Sequence, residues 1–287
     1  IKKIKPQQIV MAIGVSSVPQ MPDIQGIENF KGEKIHSGYF KSGKPYQNKN
    51  VLVFGTGTSS HDVSQDLHAN GANVTMVQRS PTMIVNLEPS AQLPYALYQE
   101  GPSTDDCDLI AISSPLSVLK KTHQILTKQS KKLDSKLLKK LEKIGFVLDY
   151  GEDNTGWQFK YLTRGGGYYF NVGASNLVAD KKIKLIQFSD INEFLSDGII
   201  HSSKKLKYDS FVFATGYKGQ EYMVKKFFGN EVANKVGRIW NFNSKKQELN
   251  NMFVKTNQQG LWFIAGSLAQ CRIFSKYLSF QISKEIK

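Results

Sequence analysis

The chain has 287 residues, 40% apolar and 22% charged, with a formal net charge of +14. These proportions exclude a disordered or fibrous protein and allow one large or two ordinary domains, each with its own core. Two cysteines without CxxC spacing and five histidines without ligand spacing argue against a disulfide scaffold, a redox dithiol or a metal site, and make the cytoplasm the default compartment.

The first residues, IKKIKPQQIVMAIG, start with Ile1 and read like the middle of a domain, so a longer parent chain is expected. QQIVMAIG (7–14) predicts a buried strand ending in a glycine, followed by the turn-rich SSVPQMPDIQG. FKGEKIHSGYF (30–40) then sets two aromatics, a glycine and a histidine in what reads as a loop. On physical grounds Gly32 permits an unusual backbone angle, His36 is able to hydrogen-bond or to titrate near neutrality, and Phe30 and Phe40 pin the loop to a core. SGKPYQNKN (42–50) has the composition of a linker.

VLVFG (51–55) is a continuous apolar run, the pattern of a strand buried on both faces. SSHDVSQDLHANG (59–71) predicts a short helix and ANVTMVQR (72–79) a second buried strand, completing a β-α-β unit. Between strand and helix stands Gly55-x-Gly57-x-x-Ser60. The first glycine allows a tight turn, the second lets the backbone approach a pyrophosphate, and a small third residue lets helix and strand pack closely. The helix start at Ser59 and Ser60 offers unpaired N–H groups to phosphates. Where an NAD site carries Asp or Glu at the end of the second strand, this chain has Arg79 and Ser80. A guanidinium suits a ribose 2′-phosphate, so NADP(H) is the expected coenzyme.

Residues 105–145 read as mostly helical. KQSKKLDSKLLKKLEK (128–143) predicts an amphipathic helix with Leu133, Leu137, Leu138 and Leu141 in the core and lysines in water; peripheral contact with an acidic membrane is the less favoured reading. No run approaches the ~18–20 apolar residues of a membrane span, and no signal peptide is visible. Residues 183–213 read as strands, with DGIIHSSKKLKY as a hairpin. KYDSFVFATGY (207–217) and GLWFIAG (260–266) end strands in glycines, and CRIFSKYLSFQISKEI (271–286) closes as a helix. The lysine runs lack interleaved aromatics and no nucleic-acid-binding motif occurs, which argues against nucleic acid as the partner.

Phe30-x-Gly32-x-x-x-His36-x-x-x-Phe40, set just before the glycine turn, resembles the signature of the class B flavoprotein monooxygenases, specifically the flavin-containing monooxygenases. MAIGVSSVPQMPDIQG, GTGTSSHDVSQDL with VTMVQRS, and FATGY (213–217) resemble further segments of that family. RGGGYYFNVGAS and GLWFIAGSLAQCR are similar to a longer subgroup. The Baeyer–Villiger branch usually has Trp at the position of Phe40. The resemblance implies an α/β fold in which a Rossmann-like NADP-binding domain is inserted in an incomplete FAD-binding domain. Residues 1–44 would end the first FAD segment and carry the linker signature, 45–216 would be the NADP-binding domain with a helical insertion, and 217–287 the last FAD segment.

The cofactors implied are NADP(H) and FAD, held among others by Gly55, Gly57, Ser59, Ser60, Arg79, Ser80, Thr215 and Gly216. The reaction implied passes one oxygen atom of O2 to nitrogen or sulfur of a small molecule, with His36 tied to flavin reduction and to the coupling of the two domains. The family's own FAD phosphate turn has no match here, so these 287 residues alone are expected to bind FAD poorly and to show little activity. The alternatives are an NADP(H)-binding module without catalysis and Baeyer–Villiger oxygenation of a ketone. Substrate identity and oligomeric state stay open.

Overall fold

The computed structural model describes residues 3–286; the outermost residues of the expected first and third domain segments lie outside them. The chain forms two compact units: one from its start to Pro19, Leu162–Gly165 and Gly216 onward, the other from Gln20–Tyr161 and Gly166–Thr215. In chain order the strands are β1 Ile9–Met11, β2 Glu33–His36, β3 Asn50–Phe54, β4 Asn73–Gln78, β5 Met83–Asn86, β6 Tyr168–Asn171, β7 Lys184–Gln187, β8 Ile191–Leu195, β9 Gly198–His201, β10 Lys204–Lys207, β11 Ser210–Phe213 and β12 Leu261–Phe263. The helices are α1 Thr58–Ala69, α2 Ala96–Glu100, α3 Thr104–Ser113, α4 Leu116–Leu133, α5 Ser135–Lys143, α6 Gly156–Arg164, α7 Ala174–Ala179, α8 Gln220–Val236 and α9 Leu268–Ile286.

The larger unit is built on a five-stranded parallel sheet in the order β2-β11-β3-β4-β7. Parallel strands need both faces covered, and the alternation along β3 supplies this. Val51 and Val53 enter one core with Val74, Met76 and Val212, whereas Leu52 and Phe54 enter another with Val77, Phe211 and Phe213. β8, β9 and β10 form a small antiparallel sheet. The expected hairpin falls at β9–β10, where Ser202 and Ser203 both take positive φ, as a two-residue hairpin turn requires.

The first boundary falls after Pro19 rather than after residue 44. The reason is pairing: residues 33–36 are not a loop but β2, in register with β11 from Glu33↔Ser210 to His36↔Phe213. A strand bonded into the sheet cannot belong to a separate linker.

The insertion between β4 and β7 carries β5, paired in parallel with β6, and helices α2–α6. The single helix expected over 128–143 is two helices broken at Asp134. Its carboxylate is buried and accepts hydrogen bonds from the Asn86 backbone N–H (3.0 Å), Asn86 Nδ2 (2.7 Å) and Ser90 Oγ (2.8 Å), which ties the junction of the two helices to β5 and Ser90. Leu137, Leu138 and Leu141 are buried as expected, but Leu133, on the far side of the break, is exposed.

In the smaller unit β1 pairs in parallel with β12, and Met11, Val224, Val236, Leu261 and Phe263 form its core. The expectation of a buried strand at 7–14 holds only for Met11; Ile9 and Val10 are 37% and 42% exposed. β1 pairs with a strand on one side only, and Ile9 and Val10 lie outside the unit's core cluster. Helix α8 turns at Gly229, which has φ +83°.

Candidate dinucleotide-binding site

In an open parallel sheet, ligands bind beyond the carboxyl ends of the strands where the strand order reverses. Here that place lies at the carboxyl ends of β3 and its two neighbours, β11 and β4. The glycine turn follows β3, Arg79 and Ser80 follow β4, Ala214 and Thr215 follow β11, and Ser37 follows β2.

The turn's glycines have different reasons. Gly55 has φ +121°, and a Cβ there would lie 2.6 Å from the Ala214 carbonyl oxygen, so it is required by the fold itself. Gly57 is the N-cap of α1 with φ −85° and ψ −166°, which any residue tolerates, and a Cβ would meet nothing within 4 Å. Open space beside the first turn of a helix is the cradle a pyrophosphate fits. Ser60 is fully buried and its Oγ donates to the Gly57 carbonyl at 2.8 Å, so a small third residue does seat the helix closely. Ser59 is exposed on the first turn.

Arg79 and Ser80 are exposed, and no hydrogen bond or ion pair of the Arg79 guanidinium occurs among the described residues. Gln78, one residue earlier, is buried and joins β4 to the insertion: its Nε2 donates to the Val147 carbonyl (2.9 Å) and its Oε1 accepts from the Val147 N–H (2.8 Å). Thr215 Oγ donates to the Gln20 carbonyl at 2.7 Å, a structural bond. Gly216 has φ +84° with open space at its Cβ position.

The Phe30–Phe40 segment staples β2 to both faces of the sheet. Phe30 is buried in one core, its ring stacked on Phe211 with centroids 3.6 Å apart and planes 8° apart. Phe40 packs on the opposite core, against Tyr46 at 5.9 Å. Gly32 is not in the left-handed region, contrary to the expected unusual angle. It is a glycine because a Cβ would strike the Phe30 ring and sit 2.6 Å from the Asp209 carbonyl oxygen. His36 is 2% exposed at the end of β2, and its Nδ1 accepts the Gly38 N–H at 3.0 Å.

Asp66 lies on α1. It ties down the linker, its Oδ2 accepting the Gly43 N–H at 2.5 Å. The contribution of His61 was missed. This residue is fully buried, with Nδ1 3.1 Å from the Gly57 carbonyl oxygen and its ring stacked on Tyr169 at 4.0 Å. The only signal was a histidine four positions after the second glycine, the spacing at which a helical side chain reaches back to that carbonyl.

Burial lowers the pKa of His61 from 6.5 to about 4, and that of His123 likewise to about 4. In the unfolded chain both take up a proton near pH 6.5, so folding stability is fully present above that pH and is lost as pH falls toward 4. By pH 5 the loss is expected to be about 2 kcal/mol for each residue. Urea titrations at pH 7.5, 6 and 5 check this, and a midpoint that does not move would contradict it.

The family model described as pyridine nucleotide-disulphide oxidoreductase matches residues 2–99. The probable indole-3-pyruvate monooxygenase YUCCA7 of Arabidopsis thaliana is 30% identical over 215 residues, 73% of this chain and 44% of the relative. YUCCA3 of the same plant is 45% identical over 80 residues, 28% of this chain and 18% of the relative. The chain thus spans less than half the length of these curated relatives. Among solved structures, cyclohexanone monooxygenase with bound cyclohexanone aligns over 97% of this chain and 61% of its own, at TM-score 0.61 and 13% identity. OTEMO in complex with FAD and NADP aligns over 97% and 62%, at TM-score 0.61 and 14% identity.

These likenesses and the parallel sheet with its glycine turn define the fold as that of the flavoproteins with two dinucleotide-binding domains. Over the parts that align, the chain is similar to proteins described as monooxygenases.

Proposed function

We propose that the protein acts as an NADPH- and FAD-dependent monooxygenase, transferring one oxygen atom of O2 to nitrogen or sulfur of a small molecule. The observation that carries this reading is the glycine turn with open space at Gly57 and the unpaired Arg79 after the next strand, on a sheet whose edge strand bears the Phe30–Phe40 staple. When bound, the nicotinamide coenzyme supplies hydride and the flavin supplies oxygen activation.

The chain's own part is binding and orientation. The first-turn N–H groups of α1 would face the pyrophosphate, Gly57 would let it approach, and Arg79 would pair with the 2′-phosphate. Thr215 and Gly216, in the second linker motif, would stand at the edge of the flavin site. His36 is an organiser rather than a base, because its ring is buried and its Nδ1 is occupied by the Gly38 N–H. His36→Ala is therefore expected to slow NADPH-dependent flavin reduction roughly tenfold, the value of one buried hydrogen bond. His36→Asn, which keeps an acceptor for the same N–H, should retain most of the rate. Stopped-flow flavin absorbance measures both, and an unaltered rate in the alanine variant removes this role.

The relatives named for indole-3-pyruvate and cyclohexanone favour a second reading, with a carbonyl compound as acceptor. NADPH oxidation under 18O2, with amines, sulfides, ketones and 2-oxo acids, separates the two by the product that carries label. NADPH binding without labelled product from any of them would leave a coenzyme-binding module without catalysis.

A further inference from the structure

His61 stands in an environment where an apolar residue would be cheaper. It is fully buried, stacked on Tyr169 and near Phe146, and its Nε2 has no hydrogen-bond partner. Leaving a buried acceptor unpaired costs about 1–3 kcal/mol. The other ring nitrogen accounts for the histidine. Nδ1 lies 3.1 Å from the Gly57 carbonyl oxygen, which is an acceptor only, so Nδ1 carries the proton and donates. The same carbonyl also accepts the His61 backbone N–H at 3.1 Å and the Ser60 hydroxyl at 2.8 Å.

Three donors on one carbonyl fix the plane of the Gly57–Thr58 peptide. In a trans peptide the N–H points opposite to the C=O, so clamping the Gly57 oxygen toward the helix body aims the Thr58 N–H outward. That direction is where a helix N-terminus receives an anion. The ring that forms the clamp is itself set by Tyr169, on strand β6 of the helical insertion. The insertion grips the turn at two more points, Thr58 Oγ to the Tyr168 carbonyl at 3.1 Å and Thr56 Oγ to Thr82 Oγ at 2.7 Å.

We propose that His61 is a positioning residue for the dinucleotide. Its Nδ1–H locks the Gly57–Thr58 peptide in the phosphate-receiving orientation and transmits to it the position of β6. The inference rests on reading the turn as a dinucleotide site and adds to that reading a residue outside the glycine pattern. Neutral imidazole keeps the clamp closed throughout the neutral range, consistent with the lowered pKa.

Two measurements test it. Calorimetry with NADP+ should give a Kd about tenfold weaker for His61→Leu, as loss of one hydrogen bond implies. His61→Asn, whose amide is able to donate to the same carbonyl, should recover most of the affinity. The leucine variant should melt no lower than the wild type, since it fills the space without an orphan nitrogen. Independently of any ligand, 15N spectra of the wild-type histidines should place the His61 proton on Nδ1. An Nε2–H tautomer, or a leucine variant that binds NADP+ as tightly as the wild type, overturns the proposal. Failure of the wild type to bind NADP+ overturns the dinucleotide reading and the positioning role with it, whereas the tautomer reports on the clamp alone.

Discussion

Replacing Arg79 with Ala is expected to lower the preference for NADPH over NADH by about tenfold to a hundredfold, with little change in NADH affinity. The lower end reflects exposure, because a solvated ion pair is worth less than a buried one; the upper end reflects a guanidinium with up to two bonds to one phosphate. Folding should be nearly unaffected. The side chain is exposed and makes no ion pair among the described residues, so its loss falls in the range of ordinary surface substitutions. Titration of wild type and variant with both coenzymes reads the ratio directly. A ratio that stays the same would assign 2′-phosphate recognition elsewhere, and Arg79→Lys separates charge from geometry, since lysine keeps the first without the planar fork.

The second large effect is a contrast between two glycines two residues apart. Gly55→Ala is expected to destabilise the fold by about 3–5 kcal/mol, from a side chain at positive φ and a forced contact with backbone. The numbers behind this are φ +121° and the 2.6 Å approach to the Ala214 oxygen. Gly57→Ala should cost less than about 1 kcal/mol, the difference between glycine and alanine as an N-cap. Its Cβ has open space and its backbone angles are ordinary. Yet the added methyl would stand where the pyrophosphate approaches, so coenzyme affinity should fall at least about tenfold, or 1.4 kcal/mol. Urea denaturation and NADP+ titration of the two variants separate them. Equal stabilities, or a Gly57→Ala variant with wild-type affinity, would refute the division of labour.

Much of the site was legible because its signals are local. VLVFGTGTSS announces strand, turn and helix by composition and spacing over ten residues, and the structure places β3, the turn and α1 there. The 198–207 hairpin was legible for the same reason. What escaped depends on partners far along the chain. EKIH carries weak strand propensity and becomes β2 only because β11, more than 170 residues later, offers an edge to bond with. The anchoring of the junction at Asp134 to Asn86 and Ser90 is a contact that no periodicity of the lysine-rich segment reveals. Ile9 and Val10 look core-bound by composition, but they are partly exposed and lie outside the smaller unit's core.

The sequence by itself determined the glycine turn, the strand that precedes it, the helix that follows and the arginine after the second strand, because all four are set by short-range backbone and charge requirements. Only the tertiary structure decided why the other residues of the signature are what they are. Gly32 exists to make room for the Phe30 ring, the two phenylalanines grip opposite faces of the sheet, and His61 turns from an ordinary helix position into a donor clamped between Tyr169 and the Gly57 carbonyl. Those roles are contacts between segments that meet only when the sheet is assembled, and side-chain identity alone does not encode which segments meet.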